Sequence, residues 1–407
     1  MRREIAPIIQ KDCKCESEAK WLEMTGAASP QLGSKSDEEH VLEPYSGPER
    51  TYTSWPSDVP FPCFEAEPNW KTISGQRKPT TEGLLYTREM KTGSSTMAGV
   101  YLRLAHRKGE KMNENGGPCK MRVDHSSARK MEYANRDKKR SFLISLLRDP
   151  TKRSISSYFH FKVSEKKEDP IDANFQSYFM DHPVSRSNYY TKDLVMRPVN
   201  LTDEEPHAVV QEIIDSFDFI GITERMDESL VVMKMLLGLE LADVLYMSAK
   251  TTGSFTTGPG DHPCIYLVPS FLTAGMKAFF ESDTWKEYMK YDILLYRAAN
   301  KALDNTIDSL GREEFEKQLK EYRTLLAVAH ETCAAETIYR CDPAGNYGGS
   351  KRSTCLLWDI GCGFQCLNRL DPGGGKLPEM EDGDNSTDII RADEGDDGKQ
   401  PEPGDGR

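Results

Sequence analysis

Lys91, Thr92, Gly93, Ser94, Ser95 and Thr96 bring together one cation, one glycine and four hydroxyls in six consecutive positions. They follow Leu84-Leu85-Tyr86, a short apolar run bounded by turn signals that predicts a buried strand. After them Met97, Val100, Tyr101 and Leu104 recur at helical spacing. Strand, Gly/Ser/Thr turn and helix together aim backbone N–H groups, hydroxyls and the positive helix end at one point. That point favours an anion, most often a phosphate. The ATP and GTP phosphate loop carries its Lys after the glycines, as G-x-x-x-x-G-K-[ST]. Here the Lys comes first, so an ordinary nucleotide loop is a poor match. Small residues before a helix are also a plain helix start, and the anion reading therefore leans on the rest of the chain.

A second cluster follows another apolar run. Ser141-Phe142-Leu143-Ile144-Ser145-Leu146-Leu147 reads as a strand and stops at Arg148-Asp149-Pro150. Pro150 suits the first position of a helix, which predicts a helix over 150–163. A guanidinium at a strand end can fork onto a phosphate, and Ser156 falls one to two turns into that helix. A third run, Phe217-Asp218-Phe219-Ile220-Gly221-Ile222-Thr223-Glu224, predicts a strand over 217–222.

These three segments resemble motifs of the carbohydrate sulfotransferases, enzymes that use 3′-phosphoadenosine-5′-phosphosulfate (PAPS). Lys91-Thr92-Gly93-Ser94-Ser95 is similar to their 5′-phosphosulfate loop. Arg148, Asp149, Pro150, Arg153 and Ser156 fill an R-D-P-x-x-R-x-x-S pattern that resembles their 3′-phosphate motif, and Phe219 to Glu224 resembles their F-x-G-x-T-E strand. The three occur in order, about sixty to seventy residues apart, and the likeness covers roughly residues 80–330. It implies a P-loop-like sulfotransferase domain that moves a sulfuryl group to a hydroxyl of a glycan acceptor. It implies that Lys91 stabilises the bridging oxygen, that Thr92, Gly93, Ser94, Ser95 and Thr96 hold the 5′-phosphate, and that Arg148 and Ser156 bind the 3′-phosphate. No metal is required. Asn188-Tyr189-Tyr190 resembles the N-Y-Q start of a further segment, but Tyr190 replaces the Gln, so no acceptor contact is carried over to it.

Sulfuryl transfer resembles phosphoryl transfer in its demands: position the groups, neutralise charge and move one proton. His125 is the candidate general base, because an imidazole titrates near working pH. It stands 23 residues before Arg148, similar to the catalytic His of uronyl 2-O-sulfotransferases. A lone His is commonly structural, other glycan sulfotransferases use Glu, and His106 and His160 are alternatives. Two other functions stay open: an ATP-using P-loop kinase-like enzyme, and a non-catalytic glycan-binding relative.

The chain of 407 residues carries a formal charge of −12, which argues against a general nucleic-acid binder. Residues 373–407 alone carry a net −7, leaving about −5 for the body. Against that background Arg129, Lys130, Arg136, Lys138, Lys139 and Arg140 form a basic segment, either a solvated face or a rim that guides an anion. Four regions are expected: an extended N-terminal arm or stem over 1–79, an α/β domain over 80–340, a Cys-rich extension over 341–370 and an acidic disordered tail over 371–407. Strands alternating with helices predict a three-layer parallel sheet with helices on both faces. Helices are expected at 171–180, 208–216, 226–237, 284–310 and 312–338, a loop at 106–124, a short helix at 126–133 and a last strand at 244–247. Residues 250–260 are rich in Gly and Thr, as a lid over the site would be.

Cys341, Cys355, Cys362 and Cys366, with Cys333 before them, lack the C-x2-C pairs of a zinc site and read as disulfides of an oxidising compartment. Asn200 and Asn385 begin glycosylation sequons. The family resemblance implies the Golgi lumen, held by an N-terminal membrane anchor that this sequence does not show; a cytoplasmic member is the alternative.

Overall fold

A computed structural model describes Gly47 and residues 49–64, 81–114, 116–182, 186–258 and 264–370. Its centre is a four-stranded parallel sheet: β1 (Gly83–Thr87), β2 (Met121–Asp124), β3 (Ser141–Leu147) and β4 (Phe219–Ile222), in the order β2-β1-β3-β4. Leu84 pairs with Met121 on one side and Phe142 on the other, and Leu147 pairs with Ile222. Every residue of β1, β3 and β4 is buried. Such uninterrupted burial marks strands covered on both faces, which is why the apolar runs in the sequence do not alternate.

Eleven α-helices surround the sheet among the described residues: α1 (Ser94–Met112), α2 (Pro150–Tyr158), α3 (Asp172–Met180), α4 (Tyr189–Leu194), α5 (Pro206–Ser216), α6 (Met226–Leu237), α7 (Ala274–Glu281), α8 (Asp283–Tyr288), α9 (Lys290–Leu310), α10 (Arg312–Cys333) and α11 (Phe364–Arg369). Asp149 caps α2 by accepting from the Lys152 N–H at 2.8 Å, with Pro150 beginning the helix. The α/β class expected from the sequence is thus present as a parallel sheet with helices around it.

Several expectations need correction. Of the loop expected over 106–124, residues 106–112 are the end of α1 and 121–124 are β2, while 113–114 and 116–120 between them are irregular as expected. β2 escaped notice because Arg122 interrupts it, although Arg122 is buried and pairs with Asp124 at 2.9 Å. Residues 244–247 are not a strand. Arg103 of α1 donates to the carbonyls of Ala242 and Leu245 at 2.7 and 2.8 Å, so a side chain takes the bonds that a sheet neighbour would use. The expected helix over 126–133 is a set of turns ending in a 3-10 turn at Tyr133–Asn135. The helix over 284–310 breaks at Met289 into α8 and α9, and α10 stops at Cys333. After α2 the chain widens into a π turn, Phe159–Ser164.

Residues 49–64 pack on the domain. Tyr52 and Trp55 set their ring edges on Phe219 and Phe142, with centroids 5.4 and 6.2 Å apart. Residues 1–46 and 65–80 of the expected arm, and the whole expected tail 371–407 with Asn385, lie outside the described residues.

Among the described residues four disulfides are formed: Cys63–Cys119, Cys264–Cys341, Cys333–Cys366 and Cys355–Cys362. The late cysteines are bridged, as their spacing suggested, and this places the chain in an oxidising compartment such as a lumen or the cell exterior. Within the expected lid β5 (Phe255–Thr257) pairs antiparallel with β6 (Cys264–Tyr266), which lies beyond it and is tied to the C-terminal extension by Cys264–Cys341. Among the described residues no helix is long and apolar enough to cross a membrane.

Candidate functional site

In this strand order the chain leaves β1 toward β2 on one side and leaves β3 toward β4 on the other. The crevice beyond the carboxyl ends of β1 and β3 is the position where open α/β sheets bind ligands. Both cationic motifs end there. The loop after β1 carries Lys91, and Arg148 follows β3 directly; its guanidinium donates to the Lys91 carbonyl at 3.3 Å.

The loop turns sharply. Lys91 and Gly93 both have positive φ, 68° and 70°. Only glycine adopts that region without strain, so a lysine held there has been placed by its surroundings. Such left-handed residues turn successive N–H groups to one side and create an anion-binding concavity. α1 begins at Ser94 with no acidic residue in its first turn, so nothing offsets its positive end. Thr92 is fully buried and its hydroxyl donates to the Glu89 carbonyl at 2.9 Å, which makes its side chain a brace of the loop. Ser95 accepts from Arg88 at 2.8 Å, and Thr96 accepts from the Ala249 N–H at 3.2 Å. Ser94 is buried at the same turn.

Four basic side chains surround this turn: Arg88, Lys91, Arg148 and Lys250. Burial, then the like charges of Lys250 and Arg148, pull the Lys91 ammonium down to about 7. Burial and Arg88 likewise lower Lys250. Glu165 opposes the fall for both and Asp359 for Lys250, but burial outweighs them, and an arriving anion would favour the charged forms. Below the loop, Glu89 is fully buried; burial first and Asp193 next hold its carboxyl well above the usual range. It therefore sets no full negative charge against an anion.

The end of β4 locks the two motifs in place. Glu224 accepts from the Asp149 N–H at 3.1 Å and from the Tyr296 hydroxyl at 3.1 Å, and it stands 3.9 Å from the Arg148 guanidinium. Tyr190 is fully buried, and its hydroxyl donates to the Arg148 carbonyl at 2.9 Å. The residue that departs from the N-Y-Q pattern thus supports the strand end. Arg153 is buried against the ring of Tyr189, 4.4 Å from its centroid, and acts on the buried Glu89 beneath the loop. Ser156 lies half-buried on α2, two turns beyond Arg148.

His125 follows β2, on the strand next to β1. Its Nδ1 lies 2.6 Å from the Arg88 carbonyl, which can only accept, so Nδ1 carries the hydrogen and Nε2 keeps its lone pair. His125 is exposed at its edge, and protein packed around the ring, with the Arg88 charge, pulls its pKa down to about 4, so it is neutral near pH 7. His160 lies in the π turn, 3.2 Å from Glu165. The Glu165 charge acts on both Lys91 and Lys250, which brings this pair to the same site. His106 sits within α1, its pKa lowered by burial.

Sequence reading overlooked Arg88, Lys250 and Glu165. Arg88 adjoins the loop motif and Lys250 opens the Gly/Thr stretch, but Glu165 has no local signal and is delivered by the π turn. The basic segment divides: Arg136 is buried in a bond to Asp218 at 2.8 Å, whereas Arg129, Lys130, Lys138, Lys139 and Arg140 are exposed. Asn200 is exposed. Among the described residues no group of three or more His, Cys, Asp or Glu side chains is placed to hold a metal ion. The chain matches no protein-family model and no curated protein.

Proposed function

We propose that the chain is a PAPS-dependent sulfotransferase of the carbohydrate type, with a P-loop-like sulfotransferase fold, acting on a hydroxyl of a glycan. The observation that carries this reading is the convergence of Lys91 and Arg148 at the crevice between β1 and β3, with four cations around a turn built for an anion. A donor with a 5′-phosphosulfate and a 3′-phosphate needs two anion contacts, and this crevice offers them from two separate motifs.

In the reaction the bond from sulfur to the bridging oxygen of the phosphosulfate breaks, and a bond from sulfur to the acceptor oxygen forms. The N–H groups around Gly93 and the start of α1, with the hydroxyls of Ser94, Ser95 and Thr96, hold the 5′-phosphate. Lys91 neutralises the charge that develops on the bridging oxygen. Arg148, with Ser156, takes the 3′-phosphate and so distinguishes this donor from AMP and ATP. His125 Nε2 accepts the acceptor's proton. A second arrangement has its own support: the His160–Glu165 pair supplies a carboxylate and an imidazole beside Lys91.

The four disulfides and the exposed Asn200 sequon favour a secretory location, and the family resemblance narrows this to the Golgi lumen. A thermal-shift series tests the donor assignment. The product 3′-phosphoadenosine-5′-phosphate should stabilise the protein, with little effect from AMP or ATP. Equal stabilisation by ATP would favour a kinase-like enzyme, and no nucleotide effect would favour a glycan-binding relative.

A further inference from the structure

Lys250 has a positive φ of 55°, a conformation that a lysine keeps only when its neighbours impose it. Both sides of it are fastened. Before it, the Ala249 N–H donates to the Thr96 hydroxyl on α1 at 3.2 Å, and the Tyr339 hydroxyl donates to the Ser248 carbonyl at 2.6 Å. After it, the fastening is Asp359. Its Oδ2 accepts from the hydroxyls of Thr256 and Thr257 at 2.9 and 2.7 Å and from the Thr257 N–H at 2.9 Å.

The turn that carries Asp359 is itself seated on α1. Leu357 and Ile360 exchange backbone bonds at 3.2 and 2.8 Å, and Cys355–Cys362 closes the loop around them. Gly361 lies so near Gly99 of α1 that a Cβ on Gly99 would meet its nitrogen at 2.7 Å. Residues 249–257 are thus tied at both ends to the helix whose first turn forms the anion site, directly through Thr96 and indirectly through Asp359. Asp359 is 2 % exposed, and its Oδ1 has no hydrogen-bond partner among the described residues. An Asn could accept the same three bonds through its amide oxygen without burying a charge, so the charge calls for a cation of its own. Lys250 is that cation. Burial and then Arg88 lower its pKa, while Asp359 and then Glu165 oppose the fall. The Lys250 charge acts in turn on Lys91, His125 and His160.

We propose that Asp359 is a positioning residue of the donor site: from the Cys-rich extension it fixes β5 and keeps Lys250 beside the anion turn as a further cation for the donor's phosphosulfate. The role at the donor rests on the sulfotransferase reading. Asp359 touches no ligand and acts only through Lys250. The Cys-rich extension is then part of what shapes the anion site.

Calorimetric titration of the full chain with 3′-phosphoadenosine-5′-phosphate at pH 6 and pH 8 tests this, with Asp359→Asn made in the native protein and in Lys250→Met. Asn keeps the acceptor and removes the charge, so Lys250 should lose its proton at a lower pH than in the native protein. Asp359→Asn should weaken binding about three-fold or more at pH 8, less at pH 6, and not at all in Lys250→Met, as for two residues that act through one another. In Lys250→Arg, whose guanidinium stays charged throughout, the pH-dependent part of the loss should vanish. An equal loss at both pH values that persists in Lys250→Met would make Asp359 a brace of the fold alone. That result, or an unchanged affinity, overturns the proposal. If Asp359→Asn does not fold, Thr257→Val decides: it should weaken binding in the native protein and not in Lys250→Met, and the same effect in both, or none, overturns the proposal. Inorganic pyrophosphate is titrated alongside. Pyrophosphate binding with the same dependence on Asp359 and Lys250, without nucleotide binding, keeps the positioning role and sinks the donor reading. Nucleotide binding without that dependence sinks the positioning role alone, and binding of neither anion sinks both.

Discussion

The hydroxyl of Thr223 lies 2.7 Å from the carbonyl oxygen of Thr92, 131 positions earlier in the chain, and 2.9 Å from that of Leu147. One side chain at the end of β4 thus fastens the anion loop to the strand end that carries Arg148. Thr223→Val keeps the shape and removes the donor, leaving carbonyls of a buried loop underbonded. The expected loss is about 1–3 kcal/mol of stability, with weaker binding of 3′-phosphoadenosine-5′-phosphate although no proposed ligand contact is touched. Urea denaturation and nucleotide titration measure both, and an unchanged urea midpoint would refute the brace.

The pH dependence follows from two lowered pKa values. Lys91 must be charged to act, and its pKa in the free protein is about 7, so its contribution is present below pH 7 and fades above it. His125 must be neutral to take a proton, and its pKa of about 4 leaves it competent above that value. We expect kcat/KM, which reports the free enzyme, to rise through about pH 4, stay level, and fall through about pH 7. A bound anion favours the ammonium, so nucleotide binding near pH 8 should take up protons. Proton release on binding, measured by calorimetry in buffers of different ionisation enthalpy, would contradict the assignment.

Arg148→Ala should weaken binding of 3′-phosphoadenosine-5′-phosphate by about 1.5–3 kcal/mol, the range for a hydrogen bond to a charged group. AMP, which lacks the 3′-phosphate, should lose little. Equal losses for both nucleotides would mean that the guanidinium holds the loop through the Lys91 carbonyl and does not select the phosphate.

Much of this site was legible before its geometry. The runs that became β1, β3 and β4 are mostly apolar and do not alternate, because both sheet faces are covered, and β1 and β3 end where their motifs begin. β2 was hidden by Arg122, whose charge is neutralised by Asp124 two residues away. The false strand at 244–247 has the apolar composition of a strand, yet side chains claim its carbonyls: Tyr322 that of Val244, Arg103 that of Leu245 and His330 that of Tyr246. Lys250 showed only its place at the head of the Gly/Thr stretch, and Glu165 gave no local signal, because it is delivered by a π turn that has no short-range sequence pattern.

The two candidate bases separate by mutation. His125→Ala should lower kcat by roughly 10²–10⁴-fold, the usual share of a general base, and remove the rise near pH 4. Glu165→Gln should leave that rise in place. The reverse pattern would move the base to the His160–Glu165 pair.

The most direct test of the central claim is transfer itself. The full chain is incubated with PAPS carrying labelled sulfate and a panel of glycans, beside Lys91→Ala. The account predicts label in at least one glycan, lost by about 10²–10³-fold in the variant, the range for removing one oxyanion-type contact, at an unchanged melting temperature. No transfer to any glycan, or a variant within a few-fold of the native protein, would contradict it.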